Sequence, residues 1–489
     1  MNESFPAWLR IHHYVNFLFI TLLIRSGIQI LMEHPRLYFN DHCTPGSEWL
    51  KFTRKSVPTD RLYTSHDDVI ATPHWLGLPG GPHRWFGMAL DWHFLSVIFW
   101  IGNGLIYVGL LFLTGQWHRL IPTSWSIFPD AVATLRDYLS FRMPPEAAFH
   151  PYDALQQLAY ASTVFLVSPL TIVTGAAMSP ALAARYPWYS RLFGGRQGAR
   201  SIHFLCLVGY LVFLVVHVTM VVVTGFARNM NHIVFGTSGM DLLGIWAGLV
   251  AIGLILAVNI AATRVSLSRP RLVQNVAGVL VDGVTRPLLD RMTSRQCYTK
   301  DDISPYFWVN GRMPTAPEWI GLYENGFKDY RLEVSGLVEH PMQLSLDEIK
   351  AMGKQSQITK HICIQGWSGI AEWSGLPLDK LLKHCRPLPN ARYVVFRSFG
   401  EGFEGGLYYD TLDLTHAKHP QTLLAYEMNG HPLPLAHGAP LRLRIETKLG
   451  FKMVKWIKTI EFVEDFRHLE EGRGGYDEDK VNFGWYAEI

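Results

Sequence analysis

The sequence predicts a multi-domain protein in which a bundle of five membrane-spanning α-helices is followed by a soluble domain rich in strands. Hydrophobic residues make up 48% of the 489 positions, a share that fits a chain with one apolar half and one ordinary half. The apolar residues concentrate before about residue 265. Later in the chain, apolar residues alternate with period two and are interrupted by glycine and proline, which indicates strands and turns.

Five apolar segments are long enough to cross a bilayer, which takes about 20 helical residues. Loops rich in proline, glycine and charge separate them. We expect the first segment to be a retained helix, because the N-terminus has the pattern of neither a cleavable signal peptide nor a twin-arginine signal. The segments are residues 14–31, 89–113, 154–178, 203–226 and 242–262.

The character of the chain changes after Arg264, where the basic stretch TRVSLSRPRL predicts a linker. We therefore expect a membrane domain over residues 1–265, a linker over 266–300 and a soluble domain over 301–489. No window in the soluble part is apolar enough to cross a membrane. Its strand candidates are YRLEVSGLVEHPMQLSLDEI, ARYVVFRSF, PLRLRIE and KWIKTIEFVEDF.

Net charge and cysteine content argue against several classes of function. A net charge of +3 offers no strong field for nucleic acid or acidic partners. The five cysteines are odd in number and no pair has CxxC spacing. A disulfide framework is therefore not expected, whereas a single functional thiolate is possible. They are Cys43, Cys206, Cys297, Cys363 and Cys385.

Histidines in the apolar segments have the spacing of haem ligands. Polar residues in a spanning helix are costly and usually functional. His203 and His217 lie 14 residues apart in one segment, so they share a helix face and stand roughly 21 Å apart along the axis. That separation suits two haems, one near each side of the bilayer.

The second ligand of each haem follows from the alternating direction of successive spans. His93, near the start of the second span, lies level with His203, because the second and fourth spans run parallel. His217 lies deeper, toward the level of His13 at the start of the first span. The predicted pairs are therefore His93 with His203 and His13 with His217. Three further histidines could replace a ligand, namely His12, His83 and His232.

Plainer interpretations stay open at this stage. The four histidines could hydrogen-bond across helices without any metal. Arg25, inside the first span, could pair with an acidic group such as a haem propionate, or it could bond a backbone carbonyl.

Four stretches of the membrane half are RIHHYVN (10–16), YDALQQLAY (152–160), TIVTGAAMSP (171–180) and IHFLCLVGYLVFLVVH (202–217). They resemble the di-haem membrane cytochrome b subunits of formate dehydrogenase, nickel-iron hydrogenase and thiosulfate reductase. The resemblance covers about residues 8–235 and implies two b-type haems, with quinone exchange near one of them. The family's first ligand aligns with His13, while Tyr14 stands where tryptophan is usual.

In the soluble half, Cys363 lies between a predicted strand and a glycine-rich turn in KHICIQGWSGIAEWSG. Its thiolate could bind a soft metal or act as a nucleophile, or the side chain could simply be buried. The later run HGAPLRLRIETKLGFKMVKWIKTI suits a phosphate or, alternatively, a solvated basic edge strand. Its basic residues are His437, Arg442, Arg444, Lys448, Lys452 and Lys455.

Together these runs resemble the α+β sulfite-oxidase family of molybdopterin enzymes over about residues 300–465. They are most similar to the bacterial molybdoenzymes that reduce methionine sulfoxide in proteins. The resemblance implies a molybdenum-molybdopterin cofactor with Cys363 as the thiolate ligand of molybdenum. The cofactor contacts that it implies are Phe307, Trp308, Asn310, Ser398, His437, Arg442, Met453, Val454 and Lys455.

The chain departs from those relatives at informative positions. His437 stands where they carry asparagine, and Ser398 where they carry threonine. Sulfite oxidases follow the ligand cysteine with a stretch that contains arginine, whereas residues 364–367 here read IQGW. Because that stretch lacks a cation for an oxyanion, sulfite is disfavoured as the substrate. The acid–base candidates are Glu372, His361 and His437.

The two halves together predict a membrane-bound molybdenum oxidoreductase that passes electrons between a quinone pool and an oxo-transfer substrate such as an S-oxide or N-oxide. One alternative is a transmembrane electron carrier whose soluble domain only docks a redox partner. Another is a haem-free anchor with a pterin-like binding module. The expected partners are membrane lipid, quinone or quinol and a small substrate, with no nucleic acid and with a homodimer left open.

We expect a multi-pass protein of a bacterial cell membrane. The face that carries the N-terminus has five Lys and Arg in its short segments, and the opposite face has thirteen. The positive-inside rule then puts the soluble domain in the cytoplasm. The family resemblance favours the periplasm instead, because related cytochromes usually keep their N-termini inside.

Overall fold

The structure, a computed structural model, describes residues 5–82, 85–140, 142, 152–237, 239–289 and 298–484, with the backbone alone for residues 184 and 282–289. Among these residues, five helices are long and apolar enough to cross a membrane, as predicted. They are Ala7–Glu33, Phe86–Leu113, Ala154–Met178, Gly195–Val223 and Leu242–Ser268.

Within the described residues of the N-terminal half, the regular structure is helical apart from one short strand pair in the loop between the first two spans. The third span contains a π-helical turn at Thr163–Val167, which divides it into two labelled helices. In chain order the helices and strands are α1 (Ala7–Glu33), β1 (Arg36–Leu37), β2 (Leu50–Lys51), α2 (Phe86–Leu113), α3 (Ile127–Leu139), α4 (Ala154–Ser162), α5 (Ser168–Met178), α6 (Pro180–Arg185), α7 (Pro187–Arg191), α8 (Gly195–Val223), α9 (Phe226–Phe235), α10 (Leu242–Ser268) and α11 (Pro270–Leu289).

The segment predicted as a linker, residues 266–300, is helical over much of its length. The last span runs on to Ser268, and α11 begins immediately afterwards at Pro270. Proline suits the first turn of a helix, because the N–H that it lacks would have no partner there. Val273 of α11 packs against Trp85 and Met88 at the start of α2. The described part of this segment, up to Leu289, is therefore largely helical and contacts the start of α2.

The soluble half has the strand-rich character that the alternating patterns predict. In chain order its elements are α12 (Pro317–Glu324), β3 (Arg331–Gly336), β4 (Met342–Ser345), α13 (Leu346–Ala351), β5 (Gln355–Ile362), β6 (Ser368–Pro377), α14 (Leu378–Cys385), β7 (Tyr393–Glu401), β8 (Leu407–Asp413), α15 (Leu414–Ala417), β9 (Leu423–Met428), β10 (His431–Pro432), β11 (Arg442–Arg444), β12 (Ile457–Val463) and α16 (Tyr476–Asp479). All four predicted strand segments contain strands.

The strands form two sheets within the described part of the soluble half. One has the order β10-β9-β6-β5, with β11 paired to β9, and the other has the order β4-β3-β12-β7-β8. In the second sheet β12 runs parallel to β3 and antiparallel to β7. Fully buried apolar side chains such as Leu376, Phe396 and Phe462 belong to one core that both sheets share.

The loop between α1 and α2 packs against the soluble half. Tyr38, Cys43 and Tyr63 of this loop form one buried cluster with side chains of the soluble half, among them Trp308 and Cys363. The Trp308 indole Nε1–H donates to the Cys43 carbonyl at 2.7 Å. The region around Cys363 is therefore built from both halves of the chain.

Candidate functional site

The structure brings the four predicted histidines together as the two predicted pairs. The ring centroids of His13 and His217 are 6.3 Å apart, and those of His93 and His203 are 6.4 Å apart. A metal bound to one nitrogen of each ring, with bonds of about 2 Å, puts two such centroids about 6 Å apart. Each pair therefore has the spacing of two axial ligands on one iron.

Neighbouring helices fix the orientation of three of these rings through Nδ1. With Nδ1 engaged, Nε2 is the nitrogen that remains to bind a metal. The contacts are His203 Nδ1 with the Thr171 carbonyl at 3.1 Å, His93 Nδ1 with Ser26 Oγ at 3.0 Å and His217 Nδ1 with Tyr160 Oη at 3.2 Å.

Glycines leave space beside the His93–His203 pair. A Cβ at Gly27 would lie 3.7 Å from His93 Cε1, and a Cβ at Gly175 would lie 3.5 Å from His203 Cε1. Glycine thus keeps the space beside each ring's Cε1, the carbon next to Nε2, free of a side chain. The residues of the bundle fit b-type haem.

The other polar candidates of the membrane half have different partners. His12 Nδ1 lies 2.6 Å from Asn103 Oδ1 and faces away from the ligand pairs. His232 packs edge-on against Phe5 with a centroid separation of 6.0 Å. Arg25 donates to the His74 carbonyl at 2.8 Å and to other oxygens nearby, so the backbone-carbonyl interpretation of this residue holds. His83 lies outside the described residues.

Cys363 follows β5 directly and is 2% exposed. The turn after it is closed by the Gly366 N–H, which donates to the Cys363 carbonyl at 3.1 Å. Asn310 Nδ2 lies 3.4 Å from the sulfur. Burial raises the pKa of the Cys363 thiol to about 12. A bare thiolate is costly in such a place, whereas a soft metal that takes the place of the proton stabilises the deprotonated sulfur.

A cavity of about 160 Å³ lies beside the Cys363 turn. Its lining includes Ile364, Gln365 and Trp367 of that turn and eight of the nine predicted cofactor-contact residues. Val454 is the exception, because its side chain belongs to the main hydrophobic core. The eight are Phe307, Trp308, Asn310, Ser398, His437, Arg442, Met453 and Lys455.

The cavity wall carries both signs of charge, but two of its cations have no acidic partner. Its basic residues are Arg312, Arg442 and Lys455, and its acidic residues are Glu33, Glu401, Glu404 and Asp477. Among the described residues, neither Arg442 nor Lys455 has a carboxylate within 4.0 Å. Burial and repulsion by nearby cations lower the pKa of both groups. Buried N–H groups at Arg442 Nε, Trp367 Nε1 and Trp373 Nε1 also have no partner in this part of the chain. An anion with several acceptor oxygens satisfies both features, which fits the phosphate-bearing pterin.

The predicted cluster of six basic residues is divided by the structure. Arg444 is fully buried and pairs with Glu446 through three contacts, at 2.8, 3.0 and 3.1 Å. Lys452 pairs with Asp410 at 2.7 Å and also with Glu478. Because acids already neutralise these two, they are structural cations, and the expectation that they help to bind an anion is not met.

The three acid–base candidates differ in their position relative to the cavity. His361 and His437 line the cavity. Burial, with repulsion from Lys455 and Arg442, lowers the pKa of His437 to about 3, and similar causes lower that of His361. Both rings are therefore neutral near pH 7 and can accept a hydrogen bond. Glu372 does not line the cavity, because the side chains of β6 alternate and the neighbouring Trp373 faces Phe307 there.

Sequence reasoning missed the contribution of the membrane half to this site. Glu33 at the end of α1, His66 and Phe86 line the cavity. Arg196 and Gln197, in the first turn of α8, both donate to the Gly366 carbonyl. The signal available in the sequence was that Arg196 lies seven residues before His203, and so on the same helix face.

Comparisons with known proteins agree with this architecture. The family described as prokaryotic cytochrome b561 matches residues 4–236. The family described as oxidoreductase molybdopterin binding domain matches residues 321–468. Both segments lie where the sequence resemblances predicted them.

Two curated relatives illustrate the likeness. A putative protein-methionine-sulfoxide reductase subunit YedZ1 of Azospira oryzae is 38% identical over 158 residues, which are 32% of this chain and 55% of that protein. The protein-methionine-sulfoxide reductase catalytic subunit MsrP of Xanthomonas campestris pv. campestris is 39% identical over 184 residues, which are 35% of this chain and 57% of that protein. The chain thus spans little more than half the length of each.

Among solved structures, the sulfane dehydrogenase SoxCD from Paracoccus pantotrophus is 21% identical, with a TM-score of 0.26, and the match covers 28% of this chain and 39% of that one. A likeness at this level carries no argument. The two family matches do: this chain matches the prokaryotic cytochrome b561 family over residues 4–236 and the oxidoreductase molybdopterin binding domain family over residues 321–468.

Proposed function

We propose that this protein takes electrons from quinol in the membrane and delivers them to an S-oxide at a molybdenum-molybdopterin cofactor bound through Cys363. His13 with His217, and His93 with His203, would each hold one b-type haem, and the two haems would supply the path for the electrons. The observation that supports this best is the separation within each histidine pair, 6.3 and 6.4 Å between centroids. Both pairs stand in the same chain as the cavity beside Cys363, whose wall includes Arg442 and Lys455.

The overall reaction balances in electrons and protons. A quinol releases two electrons and two protons when it becomes a quinone, and an S-oxide takes up two of each to give a thioether and water. When bound, the molybdenum cofactor supplies the two-electron oxygen-atom transfer. The names of the relatives favour an S-oxide over an N-oxide, since both are called protein-methionine-sulfoxide reductase subunits.

The side chains of the cavity bind, orient and exclude water. Arg442 and Lys455 supply positive charge for the phosphate, and Lys455 Nζ also donates to the Ala436 carbonyl at 3.0 Å. The neutral rings of His361 and His437 can accept hydrogen bonds from the pterin or the substrate. Trp308 and Trp367 cover the site from the side of the membrane half.

The test is the composition and the electron flow of the purified full chain. We expect one molybdenum and two b-haems per chain, haems that quinol reduces, and reoxidation of those haems when dimethyl sulfoxide or free methionine sulfoxide is added. Haem without molybdenum would favour the electron-carrier alternative. A preparation without a Soret band would favour the haem-free anchor.

A matched pair of lysine variants tests the anion site. Lys455→Met removes a buried, unpaired cation of the cavity and should reduce the molybdenum content without loss of haem. Lys458→Met, three residues on, removes a surface cation whose partner is Glu318, and it should change neither. Equal molybdenum contents in the two variants would contradict a phosphate contact at Lys455.

In this proposal the soluble domain lies on the cytoplasmic side. Some of the thirteen Lys and Arg on its face are bound within the protein, such as Arg36, Arg196 and Arg271. The same holds for Arg10 and Arg228 among the five on the other face, so the charge difference still favours the cytoplasm. A Lys383→Cys variant exposes a thiol on the soluble half, where the native side chain is 71% exposed. An impermeant maleimide should label it in lysed cells only, and labelling of intact cells would reverse the assignment.

A further inference from the structure

The first turn of α8 is hydrogen-bonded to the turn that follows Cys363. Arg196 Nη1 and Gln197 Nε2 both donate to the Gly366 carbonyl, at 2.7 and 2.8 Å. Gln197 Nε2 also donates to Ser368 Oγ at 3.1 Å, where β6 begins. All of these polar atoms lie in the buried boundary between the halves, since Gln197 and Ser368 are fully buried.

The strand before Cys363 is held by the same helix turn. Lys360 Nζ on β5 pairs with Asp41 Oδ2 at 3.0 Å. Asp41 Oδ1 accepts from the backbone N–H of Gln197 at 2.9 Å. Cys363 thus lies midway between two anchored positions, three residues after Lys360 and three before Gly366. Both anchors meet at Gln197, whose backbone N–H holds Asp41 and whose side chain holds the Gly366 carbonyl.

The same stripe of α8 carries a predicted haem ligand. Arg196, Arg200 and His203 are spaced i, i+4, i+7 and so lie on one helix face. The rise from Arg196 to His203 is about 10 Å along the axis. The face that points to the His93–His203 pair at its inner end therefore contacts the Cys363 turn at its outer end.

Two arginines of α8 lie against the turn that follows Cys363. Residues 364–367 contain no basic side chain, yet Arg196 bonds this turn, and the Arg200 guanidinium carbon would lie 3.5 Å from a Cβ at Gly366. Arg200 is in turn held by the His34 and Arg36 carbonyls at 2.6 and 2.7 Å. Gly366 has a φ of +111°, so both its conformation and these neighbours require glycine.

We infer that the contact between the first turn of α8 and the Cys363 turn, here called the joint, sets the path for electron transfer in this protein. Arg196 and Gln197 are positioning residues that hold the Cys363 turn close to the His93–His203 pair. The inference rests on the proposed function. Electron tunnelling decays exponentially with distance, and a bonded path through a helix and one hydrogen bond conducts better than a gap between surfaces. The joint would hold the residues that bind haem and the turn that binds molybdenum at a fixed separation within one chain.

The experiment separates delivery of electrons from chemistry at molybdenum. The full-length Arg196→Met/Gln197→Leu variant removes the donors to Gly366 and keeps side-chain volume. With reduced methyl viologen, a small soluble donor that reaches the soluble domain directly, its reduction of dimethyl sulfoxide should equal that of the unmodified protein. Its haems, once reduced, should be reoxidised by dimethyl sulfoxide slower by an order of magnitude or more. Haem and molybdenum contents should not change.

Two further variants keep the test decisive. Arg196→Lys retains a donor and should restore much of the rate of haem reoxidation. Arg271→Met removes a different contact between the halves, in which Arg271 Nη1 donates to the Glu478 carbonyl at 2.7 Å, and should leave that rate unchanged.

An unchanged rate of haem reoxidation in the double variant would overturn the inferred role of the joint. So would a parallel loss of the viologen-driven rate and of molybdenum, because both would follow from a merely structural contact. Failure of the proposed function looks different, since the haems of the unmodified protein would then not be reoxidised by any S-oxide or N-oxide.

Discussion

Cys363→Ser should abolish S-oxide reduction and leave both haems in place. The substitution exchanges the soft sulfur for a hard oxygen that is a poor ligand for molybdenum, while the haem ligands belong to the other half of the chain. Activity with either quinol or reduced viologen should fall to background. Because the side chain is 2% exposed, the buried hydroxyl should also lower the free energy of unfolding by about 1–3 kcal/mol.

Cys385→Ser is the matched control for this loss. Cys385 is also fully buried in the soluble half, but it packs in the main core at the end of α14 and does not line the cavity. Its substitution should cost similar stability and yet retain molybdenum and turnover. If both variants kept their activity, sulfur at position 363 would not bind the metal. If both lost it, a general loss of stability would explain the result.

Local patterns were enough to predict much of this architecture. Period-two alternation located the strands, and the length of the apolar segments located the spans, because each pattern is contained within some twenty neighbouring residues. The histidine pairs were predictable for a related reason. Once helices alternate in direction, the depth of His203 and of His93 in the bilayer follows from their positions in the chain. The structure then brings those rings to 6.4 Å.

The parts that could not be predicted depend on contacts between distant segments. Lys452 looked like part of a phosphate site, but Asp410 and Glu478 approach it from elsewhere in the chain and neutralise it. Alternation along β6 separates Glu372 from Trp373, but which of the two faces packs against Phe307 depends on contacts between distant segments. The hydrogen bond from Arg196 to the Gly366 carbonyl joins residues 170 positions apart, so only the packed structure reveals it.

His217→Ala should remove one of the two haems and leave the other unchanged. Alanine supplies no nitrogen to the iron, and the ring of His13, 6.3 Å away, cannot retain the haem with full occupancy alone. We expect the haem content and the Soret absorbance to fall by about half, as for the loss of one of two bis-imidazole haems. Quinol should no longer drive S-oxide reduction, while viologen should still do so.

His12→Ala is the control, since His12 lies next to a proposed ligand on α1 but faces Asn103 at 2.6 Å. It should retain both haems. The pairing itself is tested by combination, because variants in one ligand set are not additive. His13→Ala/His217→Ala should lose no more haem than either single variant, whereas His203→Ala/His217→Ala should lose both. If the first combination were colourless, or the second kept one haem, the rings would be paired differently from their positions in the bundle.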